Sequence, residues 1–207
     1  MTKVVFIVDD DSSFRTAVTR MLRATGLTVQ GFASGIDLLA HLSDARIDAS
    51  GCVLADLRMP GLDGLQLQEA CAEAGVELPF VFLTGQGDVP SAVSAMRHGA
   101  IDFLDKCAPQ PVLLAALEQA FERDANLRAS RDRREQLEIR FAALTERETE
   151  VLAEVVHGRM NKQIAATLGI HERTVKLHRS AITSKLGVRS VAELTTLARE
   201  AGRFAAP

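Results

Sequence analysis

Charged and hydroxyl side chains follow four apolar stretches in the first half of the sequence, where buried strands would end. Asp9 and Asp10 follow the first stretch, and Asp56 directly follows another. Thr84 and Lys106 stand just beyond two later stretches. Because the carboxyl ends of parallel strands meet at one edge of an open sheet, we expect these five side chains to lie close together.

These side-chain types suit phosphoryl chemistry. Three carboxylates in one cluster repel one another unless a cation lies among them. Mg²⁺ binds few carboxylates and completes its coordination with waters and a phosphate oxygen. A hydroxyl and an ammonium across the cluster offer a phosphoryl group a hydrogen-bond donor and a positive charge. One carboxylate could also act as a nucleophile and become an acyl phosphate, so the cluster predicts phosphoryl transfer with Mg²⁺ as cofactor.

Strand and helix patterns alternate five times through residues 1–126. Short apolar runs predict strands, and apolar residues spaced three and four apart predict the helices between them. The predicted strands are Val4–Val8, Leu27–Phe32, Cys52–Ala55, Pro79–Leu83 and Ala100–Leu104. The predicted helices are Ser12–Thr25, Gly35–Leu42, Leu65–Ala74, Pro90–His98 and one that begins near Pro111. This alternation predicts a doubly wound five-stranded parallel sheet with helices on both faces.

A connector follows, and it can be interpreted in two ways. Residues 112–157 contain neither glycine nor proline, and Arg128–Gln136 is almost wholly polar. The segment is therefore either a long helix with a solvated middle or a flexible charged tether. Arg131 and Glu135, spaced i, i+4, favour the helix, and we expect it to run from about residue 111 to about residue 142.

The last third predicts four helices, with a tight glycine turn at Gly169 between the second and the third. Helix, turn and helix in this order form the helix-turn-helix arrangement. In the third of these helices Val175, Ile182 and Leu186 form the inward stripe. Cations and short polar groups are left outside, as in a helix that enters a DNA major groove. A merely solvated face is the alternative.

Polar residues mark several helix starts. Thr145 with Glu148, and Ser190 with Glu193, have the spacing of a capping box. We expect Asp11 and Asn161 to be N-caps, and His171 to be a weak one. Asp63 is expected in a turn. These residues are candidates for structural roles.

Composition and charge restrict the class of protein. The chain of 207 residues is 47% hydrophobic and has no apolar run long enough for a membrane span. Its three cysteines, an odd number, indicate reduced thiols and a cytoplasmic location, with Cys52 and Cys71 in the core.

Charge is distributed unevenly along the chain. Residues 1–126 hold 9 basic and 17 acidic residues, and the remainder holds 15 basic and 10 acidic residues. This asymmetry predicts a cation or phosphoryl site in the first half and a polyanion partner for the second.

The motifs VDDD, ADLRMPGLDG and FLTGQGDVPSAVSAMRHGAIDFLDK resemble the receiver domain of bacterial two-component response regulators, and in particular the FixJ-type subgroup. The resemblance implies a CheY-like (flavodoxin-like) fold in which Asp56 is the phosphoacceptor. The roles that it implies for the other positions are Mg²⁺ binding by Asp9, Asp10 and the backbone carbonyl of Arg58, phosphoryl binding by Thr84 and Lys106, and an aromatic switch at Phe103.

The chain departs from this family after Lys106. The family has a proline there, preceded by a cis bond, whereas this chain has Cys107. A cis bond before a residue other than proline costs about 2.5–4 kcal/mol. Cys107 is either a redox-sensitive thiol or, as we prefer, an incidental one.

The motifs LTERETEVL, GRMNKQIAATLGI and ERTVKLHRSAITSKLGVRS resemble the NarL/LuxR-type DNA-binding domain. The resemblance implies that Lys176, Leu177 and Ser180 read bases. It also implies phosphate contacts for Lys162, Thr174, Arg179 and Lys185.

Together these observations predict a transcription regulator and not an enzyme. The expected domains are a receiver at 1–122, a helical linker at 123–142 and a DNA-binding domain at 143–207. The expected partners are a sensor histidine kinase, double-stranded promoter DNA, a second copy of the chain on phosphorylation and RNA polymerase. No association with a membrane is expected.

Two other functions are the alternatives. One is a Mg²⁺-dependent phosphohydrolase that uses Asp56 as nucleophile, and the other is a constitutive DNA binder with an inert receiver. The hydrolase is disfavoured because Arg58 stands where a haloacid-dehalogenase-like enzyme has a second aspartate.

Overall fold

The computed structural model describes residues 3–44, 50–85 and 89–202. The chain divides into two compact units, residues 1–128 and 129–207. Within the described ranges no helix combines the length and the apolar character that crossing a membrane requires.

The first unit contains a sheet of five parallel strands in the order β2-β1-β3-β4-β5. The strands are β1 Val4–Val8, β2 Thr28–Phe32, β3 Gly51–Asp56, β4 Phe80–Thr84 and β5 Asp102–Asp105. Four helices that alternate with them are α1 Ser12–Ala24, α2 Gly35–Asp44, α3 Gly64–Glu73 and α4 Val89–Arg97. The predicted doubly wound parallel sheet is confirmed, with element ends that differ from the predicted ones by one or two residues.

Alternate strand residues build an apolar layer on each face of the sheet. Ile7 and Leu54 face one layer, which also contains Val18 and Leu22 of α1. Phe6 and Val53 belong to the opposite layer, with residues of α2 and α3. Burial on both faces explains why the central strands are continuous apolar runs.

Helix α5 is a single helix, Gln110–Ala142, which confirms the helical connector over the flexible tether. Its beginning buries Leu113 and Leu117 against the sheet. Its end buries Leu137 and Phe141 in the core of the second unit. The side chains of the polar stretch between these two apolar segments are largely exposed.

The second unit packs the end of α5 with four shorter helices. They are α6 Glu146–Val156, α7 Asn161–Leu168, α8 Glu172–Leu186 and α9 Val191–Glu200. Gly169 follows α7 with φ +65°, a left-handed conformation that glycine adopts without strain, and it turns the chain into α8. The predicted helix-turn-helix is therefore confirmed.

Several predicted helix caps are confirmed. The Asp11 side chain accepts hydrogen bonds from the backbone N–H groups of Ser13 and Phe14. Thr145 and Glu148 form the expected capping box. His171 precedes α8 without a side-chain capping bond, as its weak capping ability predicts.

Two capping predictions need correction. Asp63 is more than a turn residue, because it forms a capping box with Gln66 at the start of α3. The Ser190 side chain caps α9 by accepting from the Glu193 N–H, as predicted. In a full capping box the Glu193 side chain would accept from the Ser190 N–H, but here it accepts from the Arg189 N–H instead.

The prediction that Asn161 is an N-cap is wrong. Met160 holds the N-cap position, and its N–H donates to Gln163 Oε1 at 2.9 Å. Asn161 is the first helical residue of α7. Its side-chain oxygen instead accepts a hydrogen bond from Arg179 Nη1 at 2.9 Å.

Candidate functional site

The strand register brings the predicted acidic residues together. Strands β1 and β3 are neighbours with Val8 opposite Ala55, so the residues that follow, Asp9 and Asp56, lie side by side. One carboxylate oxygen from each of Asp9, Asp10 and Asp56 lies within 4.8 Å of the others. Asp9 and Asp56 are buried, with 1% and 8% of their surface exposed, while Asp10 is open to solvent. Solvent therefore reaches the cluster at Asp10.

Lys106 lies directly against the two buried carboxylates. Its Nζ is 2.7 Å from Asp9 Oδ2 and 2.8 Å from Asp56 Oδ2, and it stands 4.5 Å above the Phe14 ring centre. Burial alone would lower the pKa of Lys106, but its hydrogen bonds to Asp56 and Asp9 and their charges outweigh this and raise it. The ammonium therefore stays charged beside Asp56.

Backbone groups fix the acidic side chains. Asp9 Oδ1 accepts from the Asp11 N–H at 2.9 Å, and Asp56 Oδ1 from the Arg58 N–H at 3.3 Å. A Cβ on Gly64 would lie 2.5 Å from the Asp56 carbonyl oxygen, so only glycine permits this close turn after β3. The turn holds Asp56 at the edge of the sheet.

The carboxylates fit a hard divalent cation. Burial raises the pKa of Asp9, although hydrogen bonds from Lys106 and Asp11 oppose the shift. Asp9 Oδ2 is buried, with the Lys106 ammonium 2.7 Å away. Three carboxylates lie together here, and oxygen-only donors are those that Mg²⁺ prefers. The residues present therefore fit Mg²⁺.

The remaining predicted receiver residues lie at the same edge of the sheet. Thr84 is 3% exposed at the end of β4, opposite Asp105 of β5. Lys106 follows β5 directly. Phe103 is half-buried in β5 and packs against the apolar layer that contains Phe82.

The three cysteines differ in environment. Cys52 and Cys71 are buried as predicted, and burial raises the pKa of their thiols to about 12 and about 11. Cys107 is exposed, and its N–H donates to Asp105 Oδ1 at 2.7 Å. Since no peptide bond in the described ranges is cis, the Lys106–Cys107 bond is trans.

In the second unit, α8 presents the predicted polar face. Val175, Ile182 and Leu186 are completely buried, which turns the opposite side of the helix outward. Leu177 is 65% exposed, and the Lys176 side chain is 67% exposed with Nζ 3.9 Å from Glu172 Oε1.

The other predicted DNA-contact residues fall into two groups. Ser180 and Lys162 are exposed, whereas Thr174 and Arg179 are half-buried. Lys185 is engaged within the unit, since its Nζ donates to Glu148 Oε2 at 2.7 Å and to the Ala143 carbonyl at 3.1 Å. Lys185 would have to give up these bonds to contact a DNA phosphate. The phosphate contact of Lys185 stays a prediction.

Known proteins match the chain along almost its whole length. The response regulator receiver domain family matches residues 5–118, and the luxR family of bacterial regulatory proteins matches residues 142–198. Nodulation protein W of Bradyrhizobium diazoefficiens is 39% identical over 96% of this chain and 86% of its own. The transcriptional regulatory protein FixJ of Rhizobium meliloti is 36% identical over 96% of both chains.

Solved structures agree with these matches. The response regulator StyR has a TM-score of 0.83 and 43% identity, covering 97% of this chain and 100% of that one. The fold and the acidic cluster define a receiver coupled to a helix-turn-helix output domain. The chain belongs to the response regulators of two-component systems, in the group of FixJ-like transcriptional regulators. Its relatives are transcriptional regulators, and the phosphohydrolase alternative is not favoured.

Proposed function

We propose that Asp56 is the phosphoacceptor of this response regulator. The observation that carries the proposal is its position: a buried carboxylate at the end of β3, within 2.8 Å of a lysine ammonium and beside two further aspartates. An Asp56 oxygen attacks the phosphorus of a phosphohistidine on the sensor kinase, the P–N bond breaks, and an acyl phosphate forms on Asp56. Lys106 and Thr84 stabilise the transferred phosphoryl oxygens.

Asp9, Asp10, Asp56 and the backbone carbonyl of Arg58 would hold Mg²⁺. When bound, the ion offsets the negative charge that builds up on the phosphoryl oxygens. Lys106 Nζ, already paired with Asp9 and Asp56, turns to the new phosphoryl group. Phe103 is half-buried in β5, the strand that Lys106 follows. It is the aromatic residue proposed to change position when Lys106 turns.

The second unit is the proposed output. Lys176, Leu177 and Ser180 would read base edges, and Lys162, Thr174, Arg179 and Lys185 would contact phosphates. Phosphorylation would favour a homodimer through α4 and β5, so that two α8 helices meet two half-sites of a promoter.

The proposed domains are the receiver at 1–122, the helical linker at 123–142 and the DNA-binding domain at 143–207. RNA polymerase is the further proposed partner, and the cytoplasm is the proposed location because the promoter DNA is there.

Intact-mass measurement tests the phosphoacceptor. We expect the full-length protein, incubated with Mg²⁺ and acetyl phosphate, to gain the mass of one phosphoryl group. Asp56→Asn should gain none, because the amide keeps the shape of the side chain and loses the nucleophile. Asp105→Asn, which changes an exposed carboxylate at the same sheet edge, is the matched control and should be labelled like wild type. Stable labelling of Asp56→Asn, or labelling that persists when EDTA removes the metal, would contradict the proposal.

A further inference from the structure

A hydrogen bond joins the two helices of the helix-turn-helix. Asn161 Oδ1, at the first turn of α7, accepts from Nη1 of Arg179, in the middle of α8, at 2.9 Å. The two residues are 18 positions apart in the sequence, so the bond depends on the packing of the two helices. It fixes the end of a long, otherwise rotatable side chain.

The bond lies in a surface groove that carries several charges. The groove is bordered by the turn before α7, the start of α7, the middle of α8 and the start of α9. Arg159, Lys162 and Arg179 bring positive charge to it, and Glu172 brings one negative charge. Arg159 is itself paired with Glu154, Nε to Oε2 at 2.9 Å, so Lys162 and Arg179 are the cations least committed to other groups.

N-capping does not explain the asparagine at position 161. Asparagine is a poor helix former, and it normally begins a helix as the N-cap, a position that Met160 occupies here. Its side chain is instead committed to Arg179. An acceptor that has no charge holds the guanidinium without neutralising it.

We propose that Asn161 is a positioning residue that orients Arg179 toward a DNA phosphate. This rests on the proposed function, in which Arg179 contacts the DNA backbone. A guanidinium has five N–H donors in a planar fork, and Asn161 uses one nitrogen of the three. Within the described part of the chain, Nε and Nη2 have no hydrogen-bond partner, so they remain available for phosphate oxygens. Restricting the side chain before binding reduces the entropy that is lost when the phosphate is contacted.

The alternative is that the bond only braces α7 against α8. A brace and a positioning residue differ in how loss of Asn161 compares with loss of Arg179. If Asn161 acts on DNA only through Arg179, its removal has no consequence once Arg179 is absent and leaves the unfolding midpoint of the free protein almost unchanged. A brace made by this bond is broken by either substitution, so it would lower the unfolding midpoint of both single variants alike and leave both salt slopes unchanged.

A double-mutant cycle on full-length protein separates these cases. Wild type, Asn161→Ala, Arg179→Ala and the double variant are treated with Mg²⁺ and acetyl phosphate, and their affinity for a short random-sequence duplex is measured over a series of KCl concentrations. Thr167→Ala, an exposed polar residue of α7 outside the groove, is the matched control. Thermal unfolding of the DNA-free proteins shows that each variant is folded and whether loss of the bond lowers the stability of the fold. Asn161→Ser serves as a second variant in case alanine is not tolerated.

We expect Asn161→Ala to weaken binding by about threefold to tenfold, with little change in salt slope because no charge is lost. Arg179→Ala should reduce the slope by about one unit. In the Arg179→Ala background, Asn161→Ala should change the affinity by less than about twofold. Three results would overturn the positioning role: equal losses in both backgrounds, no loss in the wild-type background, or unfolding midpoints lowered alike in both single variants with unchanged salt slopes. If wild type itself failed to bind the duplex, the proposed function would fall first and the positioning role with it.

Discussion

Asp124 is a buried carboxylate that ties helix α5 to the beginning of β3. Its Oδ2 accepts from the Gly51 N–H and from the Ser50 hydroxyl, each at 3.0 Å. Arg128 Nε donates to both carboxylate oxygens at 3.1 Å. Only 2% of Asp124 is exposed. Because β3 ends at Asp56, this cluster anchors the far end of the strand that carries the proposed phosphoacceptor.

Replacing Asp124 by alanine should destabilise the receiver by about 2–4 kcal/mol, because it removes the buried acceptor of the Gly51 N–H and the carboxylate that Arg128 contacts. The chain has no Trp or Tyr, so labelling of the buried thiols Cys52 and Cys71 as urea is added is the suitable measurement. Asp132→Ala, in the exposed part of the same helix, should cost less than about 0.5 kcal/mol. Equal urea midpoints for the two variants would show that the Asp124 cluster contributes nothing.

Glu148 makes the second unit sensitive to acid. A hydrogen bond from Lys185 Nζ, followed by one from the Thr145 N–H, lowers the pKa of Glu148 below its usual 4.5. A carboxyl whose folded-state pKa is depressed stabilises the fold above its unfolded-state pKa and loses that contribution as the pH falls through the folded-state value. The stabilisation is therefore complete at neutral pH and is lost below about pH 4.5.

Thermal unfolding of Glu148→Gln should show this difference. We expect a midpoint lower than that of wild type at pH 7 and a smaller difference between the two at pH 3.5, because part of the contribution of the charge is already lost below about pH 4.5. Glu138→Gln, at an exposed position of α5, is the control and should follow wild type at both pH values. A deficit of the same size at both pH values would mean that the charge of Glu148 is not what stabilises the unit.

At the scale of elements, periodicity and capping chemistry were sufficient to predict most of the architecture. The three central strands β1, β3 and β4 are apolar runs buried on both faces, and residues of the acidic site stand at or just after the ends of β1, β3, β4 and β5. Asp63 and Gln66 have capping-box spacing, so that cap could have been recognised. Contacts between distant residues left no such signal: Gly51 and Asp124 lie 73 positions apart, and neither has a local pattern that indicates the other.

The same limit explains the error at Asn161. Asparagine before an apolar periodic segment is a strong N-cap signal, and the partner that decides its role, Arg179, lies on another helix. The resemblance to the NarL/LuxR-type domain implies a phosphate contact for Lys185, yet its Nζ reaches Glu148, 37 positions away. A one-dimensional pattern predicts which face a residue occupies, but not which neighbour it meets there.

The helical structure of the polar middle of α5 can be tested by amide exchange. Its residues between the two units are largely exposed, so only helix hydrogen bonds protect their amides. We expect amide hydrogens of Arg128–Gln136 to exchange more slowly than those of an unstructured peptide. Ala129→Pro should remove this protection locally, since proline in a helix interior costs about 3 kcal/mol, while the amides of β3 stay protected. Exchange at unstructured-peptide rates in wild type would favour a tether.

At the scale of the whole molecule, the two halves differ in charge in the way that their partners require. Residues 1–126 carry 9 basic and 17 acidic residues, with an acidic cluster that fits a cation. The rest of the chain carries 15 basic and 10 acidic residues, and its helix α8 presents an exposed polar face. One helix, α5, contributes to the cores of both units. In the proposed function, a chemical change at Asp56 alters DNA binding by the second unit.

DNA affinity measured before and after phosphorylation tests this coupling most directly. Full-length wild type and Asp56→Asn are each titrated onto promoter-length duplex DNA at one fixed salt concentration, with and without Mg²⁺ and acetyl phosphate. We expect the phosphodonor to tighten binding by wild type at least about fivefold and to leave Asp56→Asn unchanged. If Asp56→Asn responded to the phosphodonor as wild type does, the coupling would not pass through Asp56, and the account would be contradicted.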